Sequence, residues 1–344
     1  MSKKALIVSP YLDHLGGGER YMLSAGCALE TLGYEVYFSW DNLEEISSLS
    51  TMLGIPLKNP RLDSAVKTHY FARNPLAMFQ ATRGYDVVFY LSDGSLPLLG
   101  GKCNLVHLQV PFHGVGGRSL KNSLKKKFIH GFVVNSEFTK HVIDQEFGID
   151  STVLYPPVIP IPPGNGKENT ILSVGRFEPS LNTKHQDVLI ESFVTLSKNY
   201  SDWKLVLAGG SSSEEWLTTL KSKASGANIE FVPNISHSGL ITLYQQARIY
   251  WHAAGYGIDE TKNPELTEHF GISTVEAISA GCIPLVVPYG GQREIVKDTN
   301  LHWQTVPELI DKTKQQIKSS VPHSFDILPY LVDSFTKQLG ELIR

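Results

Sequence analysis

Cysteine and methionine are sparse in this chain, with three and four copies among 344 residues. Cys27, Cys103 and Cys282 lie far apart and follow no metal-ligand spacing, which argues against a disulfide-stapled scaffold or a cysteine zinc site. They read as buried free thiols in a reducing compartment. No run of 18 apolar residues exists, and Met1-Ser2-Lys3-Lys4 leads straight into a strand-like segment without a signal-type apolar stretch. Neither membrane spanning nor secretion is expected, and a cytoplasmic location is. An excess of one charge is also missing. The 31 Lys and Arg against 34 Asp and Glu leave a net −3, so the overall balance gives no reason to expect nucleic acid. At 42% apolar and 19% charged the chain has a soluble globular composition, and its length suffices for two domains with cores of their own.

What is present is a repeated alternation of buried strands and helices. Ala5-Leu6-Ile7-Val8-Ser9 reads as a buried parallel strand, followed by a helix from about Glu19 to Leu32 that Gly33 stops. Strands follow at Glu35–Phe38, Asp86–Tyr90, Asn104–Leu108 and Gly131–Val134, the pattern of a doubly wound α/β domain. The run Pro156-Pro157-Val158-Ile159-Pro160-Ile161-Pro162-Pro163-Gly164 fits neither a helix nor a central strand and reads as a linker. A second series then begins at Thr170–Val174 and continues at Lys204–Ala208, Ile229–Val232 and Ile249–His252. Two Rossmann-like domains, 1–157 and 158–324, are therefore expected, with a cleft between them and ligands at the carboxyl ends of the strands.

The most informative stretch is Glu268-His269-Phe270-Gly271-Ile272-Ser273-Thr274-Val275-Glu276-Ala277. It sets one carboxylate in a loop before a helix and the other inside the helix. Free N–H groups at a helix start can hold a phosphate, and flanking carboxylates suit the hydroxyls of a sugar and a ribose. Taken alone, the two glutamates fit a solvated loop and helix face equally well. Downstream, Gly281 stops that helix, Cys282–Val287 is a buried strand, and Gly290-Gly291-Gln292 turns into another helix. In motif, order and spacing this region resembles the donor-binding signature of retaining glycosyltransferases of the GT-B fold, family GT4 (glycosyltransferase group 1), whose E-x7-E motif maps onto Glu268 and Glu276. The resemblance covers most of the chain. It implies two Rossmann-like doubly wound domains facing across a cleft, and a segment 325–344 forming a helix that crosses back onto the first domain.

Several further groups gain a role from that resemblance. Gly16-Gly17-Gly18 opens the first helix, either as a plain tight turn or as a close approach to an anion. It is not the G-x-G-x-x-G dinucleotide fingerprint, which disfavours a dehydrogenase. The resemblance places Gly17 and Gly18 at the donor diphosphate. Gly175-Arg176 follows the first strand of the second domain, with Lys184 eight residues on; two cations converging on a diphosphate would stabilise its charge as the sugar leaves. The family interval is shorter, and Phe177-Glu178-Pro179-Ser180-Leu181-Asn182-Thr183 lengthens it here. His107, near the end of its strand, is expected to face the cleft as a catalytic group contacting sugar or acceptor, with His113 as rival and a structural histidine as the plainer reading. The amides of Gly271, Ile272, Ser273 and Thr274 are expected at the diphosphate, His269 and Phe270 at the sugar, and Glu276 at the ribose.

Asn135-Ser136 suits a turn and helix cap. Tyr155-Pro156-Pro157 resembles a landmark frequent among the family's mannosyltransferases and favours GDP-mannose, with UDP-glucose or UDP-N-acetylglucosamine as alternatives. Arg118, Lys121, Lys125, Lys126 and Lys127 accompany Leu120, Leu124 and Phe128 at i, i+4 and i+8. This is a basic amphipathic segment, 118–127, suited either to the core or to peripheral contact with anionic lipid. Residues 254–267, longer than the family norm, form either a lid or an exposed loop. No Asp-x-Asp triplet occurs, so the resemblance implies no metal and no cofactor beyond the nucleotide sugar co-substrate. The expected activity is retaining hexosyl transfer from a nucleotide diphosphate sugar to a glycan or lipid-linked acceptor. The alternatives are a nucleotide-sugar hydrolase or epimerase and a non-catalytic nucleotide-sugar-binding subunit.

Overall fold

The computed structural model describes residues 2–12, 16–72, 74–178, 184–211, 213–224, 226–319 and 321–344. It divides into two compact units: one of residues up to Pro157 together with Leu328–Arg344, the other Val158–Ile327. The first contains strands β1 (Lys3–Val8), β2 (Tyr34–Phe38), β3 (Arg61–Leu62), β4 (Val87–Leu91), β5 (Cys103–Leu108), β6 (Gly131–Val134) and β7 (Thr152–Val153). They form one parallel sheet in the order β3-β2-β1-β4-β5-β6-β7.

Every residue of β4 is buried, as a strand covered by helices on both faces requires. Side chains alternate between two apolar clusters: Ala5, Ile7, Phe38 and Phe89 serve one face, and Leu6, Val8, Val88 and Tyr90 the other. The first face is completed by helix Gly17–Thr31 and by the chain terminus. The terminal helix is Val332–Leu342, shorter than the expected 325–344 segment; it is preceded by a 3-10 turn at Leu328–Tyr330, and residues 325–327 belong to the second unit. Its Phe335 meets Tyr21 edge-on at 5.4 Å, and Leu339 is fully buried beside it.

The second unit carries β8 (Glu168–Val174), β9 (Lys204–Gly209), β10 (Ile229–Pro233), β11 (Ala247–His252) and β12 (Ile283–Val286), all parallel, in the order β10-β9-β8-β11-β12. After β8 the chain moves to β9 on one side, and it returns later to place β11 on the other. That reversal opens a crevice at the carboxyl ends of β8 and β11, where doubly wound sheets bind ligands.

The segment 118–127 departs from a core-packed helix. Leu120–Lys126 is helical, but Leu120 is 88% and Leu124 63% exposed, and Phe128 is exposed as well. Two lysines fold inward instead: Lys125 Nζ donates to the Leu96 carbonyl and Lys126 Nζ to the Phe147 carbonyl. Burial lowers the pKa of both.

Candidate active site

Gly175-Arg176 leaves β8 where Rossmann-like sheets collect ligands. A Cβ on Gly209, at the end of β9, would lie 2.2 Å from the Gly175 carbonyl oxygen, so the two backbones are too close for any other residue there. From the next helix, Gln186–Ser197, the buried Gln186 amide donates to the Arg176 carbonyl at 2.9 Å and fixes the turn. The Arg176 side chain is exposed and has no partner among the described residues. Residues 179–183 of the lengthened loop lie outside the described residues.

Glu268 is the centre of a partly buried cluster. Its Oε2 accepts from Lys184 Nζ at 2.5 Å and from His252 Nε2 at 2.9 Å. Burial opposes the charge on Glu268, but the Lys184 ammonium and the His252 hydrogen bond outweigh it and hold the carboxyl well below the usual carboxylate range. His252 is only 2% exposed, and burial lowers its pKa despite the neighbouring Glu268. The imidazole is therefore neutral near pH 7 and must carry its proton on Nε2, because a carboxylate only accepts. Lys184 thus meets the predicted glutamate directly.

Glycines shape the loop that carries Glu268. Gly271 caps helix Ile272–Ser279 with φ 119° and ψ 54°, a conformation that disfavours side chains. Gly290 has φ 62°, and a Cβ there would lie 2.0 Å from the Glu268 carbonyl oxygen. The Gly291 amide donates to that same carbonyl at 2.8 Å. At the helix start the N–H groups of Ile272 and Ser273 have no acceptor among the described residues, and Ser273 Oγ accepts from the Tyr250 hydroxyl at 2.8 Å.

Two of the expected contacts need correction. Thr274 is turned inward: its amide donates to the Gly271 carbonyl at 3.0 Å, and its buried hydroxyl accepts from Gln292 Nε2 at 3.0 Å. The Phe270 side chain lies in the core and offers no ring surface to a sugar, while His269 Nε2 bonds the Glu265 carbonyl at 3.1 Å. Glu276 is 5% exposed and accepts from the Tyr244 hydroxyl at 3.0 Å. Segment 254–267 is tied down by Glu260, which accepts from the Gly290 amide at 3.1 Å and pairs with Arg293 at 2.8 Å.

In the first unit, Gly17 and Gly18 begin helix Gly17–Thr31, and a Cβ on Gly18 would fall 2.6 Å from Gln109 Nε2. His107 does not face outward as expected. Its ring is wholly buried, stacked on Tyr21 with centroids 4.0 Å apart and 4° between planes, and its Nδ1 lies 3.2 Å from the Val133 carbonyl. Alternation along β5 turns His107 to the helix-covered face, and burial drives its pKa down to about 3. The rival His113 is exposed. Ser136 caps helix Glu137–Phe147 by accepting from the Thr139 amide at 3.0 Å, and Asn135 Nδ2 donates to the Gln109 carbonyl at 2.9 Å.

Residues 159–321, nearly the whole second unit, match the family model of glycosyl transferases, group 1. The second unit is a group 1 glycosyltransferase domain. Its glutamate pair and its glycine-shaped helix start lie within the matched region. Over 202 residues the chain is 29% identical to the GDP-Man:Man(3)GlcNAc(2)-PP-Dol alpha-1,2-mannosyltransferase of Dictyostelium discoideum, covering 51% of this chain and 38% of that protein. The chain therefore spans well under half of that relative. It is 23% identical to the alpha-1,3/1,6-mannosyltransferase ALG2 of Kluyveromyces lactis, covering 97% of this chain and 78% of that one. The crystal structure of Anabaena HepE in complex with UDP and glucose superposes with a TM-score of 0.70, at 15% identity and 98% coverage of both chains. The fold is that of the GT-B glycosyltransferases.

Sequence reasoning missed four residues of this glycosyltransferase domain: His252, Gln186, Gln292 and Tyr244. His252 was legible as a strand end but not as the partner of Glu268, since 16 positions separate them. Gln292 follows a Gly-Gly turn that marks the position but not the contact. Nothing in the sequence around Tyr244 signals Glu276.

Proposed function

We propose that the chain is a retaining glycosyltransferase that moves a hexose, mannose from GDP-mannose in the favoured reading, to a glycan or lipid-linked acceptor. The observation that carries this is the constellation at the ends of β8 and β11: a partly buried, charged Glu268, an exposed Arg176 guanidinium and a helix start whose Ile272 and Ser273 amides have no acceptor among the described residues. The open amides of Ile272 and Ser273, with Arg176 and Lys184, would hold the diphosphate and take up the charge that grows as the sugar leaves. In this reading no metal is required. Glu268 would accept from sugar hydroxyls and stabilise positive charge at the anomeric carbon, and Glu276 would accept from the ribose. Transfer on the same face lets the departing phosphate oxygen take the acceptor proton. The mannosyl specificities of the curated relatives support the donor choice, and the Tyr155-Pro156-Pro157 landmark agrees with it.

The acceptor side draws on a separate feature. Residues 94–136 contain no Asp or Glu, and the exposed Leu120 and Leu124 sit among Arg118, Lys121 and Lys127. An apolar ridge flanked by basic side chains fits an anionic membrane surface, the place of a lipid-linked acceptor. No helix among the described residues is long and apolar enough to cross a membrane.

The test is a thermal-shift series in metal-free buffer with GDP-mannose, GDP, UDP-glucose, UDP-N-acetylglucosamine, UDP and NAD. A ligand that binds only the folded state raises the melting temperature. GDP-mannose and GDP are expected to stabilise the protein, and Arg176→Ala to lose most of that shift. Stabilisation by UDP compounds alone would replace the donor. A response to NAD alone would overturn the transferase reading.

A further inference from the structure

Lys184 and His252 bind the same oxygen of Glu268, and its Oε1 takes no bond among the described residues. With both donors on Oε2, Oε1 is left as the acceptor for a ligand hydroxyl. The two clamps differ in kind. Lys184 is a cation on a flexible stem, and an arriving diphosphate competes for it. His252 is the last residue of β11, buried, with its ring 6.4 Å from that of Tyr250, and its neutral imidazole has little attraction for phosphate. Its Nδ1 has no hydrogen-bond partner among the described residues.

We propose that Lys184 transfers from Glu268 to the diphosphate when donor binds, and that His252 is the positioning residue that then holds Glu268 oriented toward the sugar. This rests on the reading of Glu268 as the sugar-facing carboxylate. The exchange links the two halves of the donor. The diphosphate frees Glu268 from one clamp, while His252 prevents the carboxylate from turning with it.

The readout is the ratio of dissociation constants for GDP and GDP-mannose, measured by calorimetry on the full chain, with UDP and UDP-glucose as the parallel pair. This ratio isolates what the sugar adds. His252→Phe is expected to lower it about tenfold, the worth of a hydrogen bond to a charged group, with GDP affinity unchanged. His252→Gln retains a side-chain N–H donor and is expected to restore the ratio. Lys184→Ala is expected to weaken both ligands equally and leave the ratio intact. A wild-type ratio in His252→Phe, or equal loss in His252→Gln, overturns the proposal, as does a ratio lost in Lys184→Ala. A general packing role for His252 would instead weaken GDP and lower the melting temperature in both variants. Glu268→Gln separates the two readings. If it leaves the ratio unchanged, the assignment of Glu268 fails and the proposal falls with it; if it lowers the ratio while His252→Phe does not, only the proposal fails.

Discussion

At the residue scale, the partners a titratable group meets, rather than its residue type, decide what it does. Glu268 and His107 were both singled out in the sequence as chemical groups, yet one stands in a charged cluster and the other in an aromatic stack. The difference comes from the partners. Glu268 has a lysine and a histidine within 2.9 Å, whereas His107 has ring faces and one carbonyl. His107 gives a signed pH prediction. Its pKa falls from 6.5 to about 3, so below pH 6.5 the unfolded chain binds a proton that the folded one refuses. Stability then falls with decreasing pH between these values, by up to about 1.4 kcal/mol per pH unit from this residue. Urea midpoints across pH 4 to 7 should show a shallower slope in His107→Phe than in the parent. Identical slopes would mean that the imidazole is protonated in the fold. The sequence exposed His107 as a strand residue, but the face it takes follows from register against helix Gly17–Thr31, which no local pattern encodes.

At the element scale, the loop between β11 and helix Ile272–Ser279 depends on glycines supplied from elsewhere in the chain. Gly271 was legible as the position before a helix; that it takes a φ of 119° there, where side chains are disfavoured, is evident only in the structure. Gly290 read only as a turn; the structure shows that it makes room for the Glu268 carbonyl. Gly290→Ala forces a left-handed alanine and a backbone clash, and it moves Glu268. Activity should fall about 100-fold, as for an ångström-scale misplacement of a reacting group. The melting temperature should fall with it. Wild-type turnover in this variant would show that Glu268 tolerates displacement. The basic segment illustrates the opposite case. Its i, i+4, i+8 spacing marked a helix, which the structure has at Leu120–Lys126 with Phe128 beyond its end, but spacing cannot tell which face meets the protein. Here lysine stems reach inward to carbonyls that would otherwise lack donors, and the leucines remain outside.

At the scale of the whole molecule, the proposed lipid-facing surface and the donor residues belong to different units, so they can be tested separately. Flotation with vesicles of phosphatidylglycerol and phosphatidylcholine should carry the protein, and phosphatidylcholine alone should not. Leu120→Asp with Leu124→Asp should abolish binding. Lys121→Ala and Lys127→Ala should each weaken it about fivefold, while GDP-mannose affinity stays unchanged. Undiminished flotation of the leucine variant would remove this surface from the account. The sequence by itself determined the two parallel α/β units, the proline-rich boundary and the Glu268 to Glu276 motif. Strand runs, glycine stops and a fixed spacing are local properties, and local sterics and hydrophobic pattern suffice to set them. The tertiary structure alone decided that Lys184 and His252 meet on one oxygen of Glu268, that Thr274 and Phe270 turn inward, and that His107 lies in the core. Those outcomes depend on contacts between segments far apart in the chain, and only the packed sheet with its covering helices fixes which of them form.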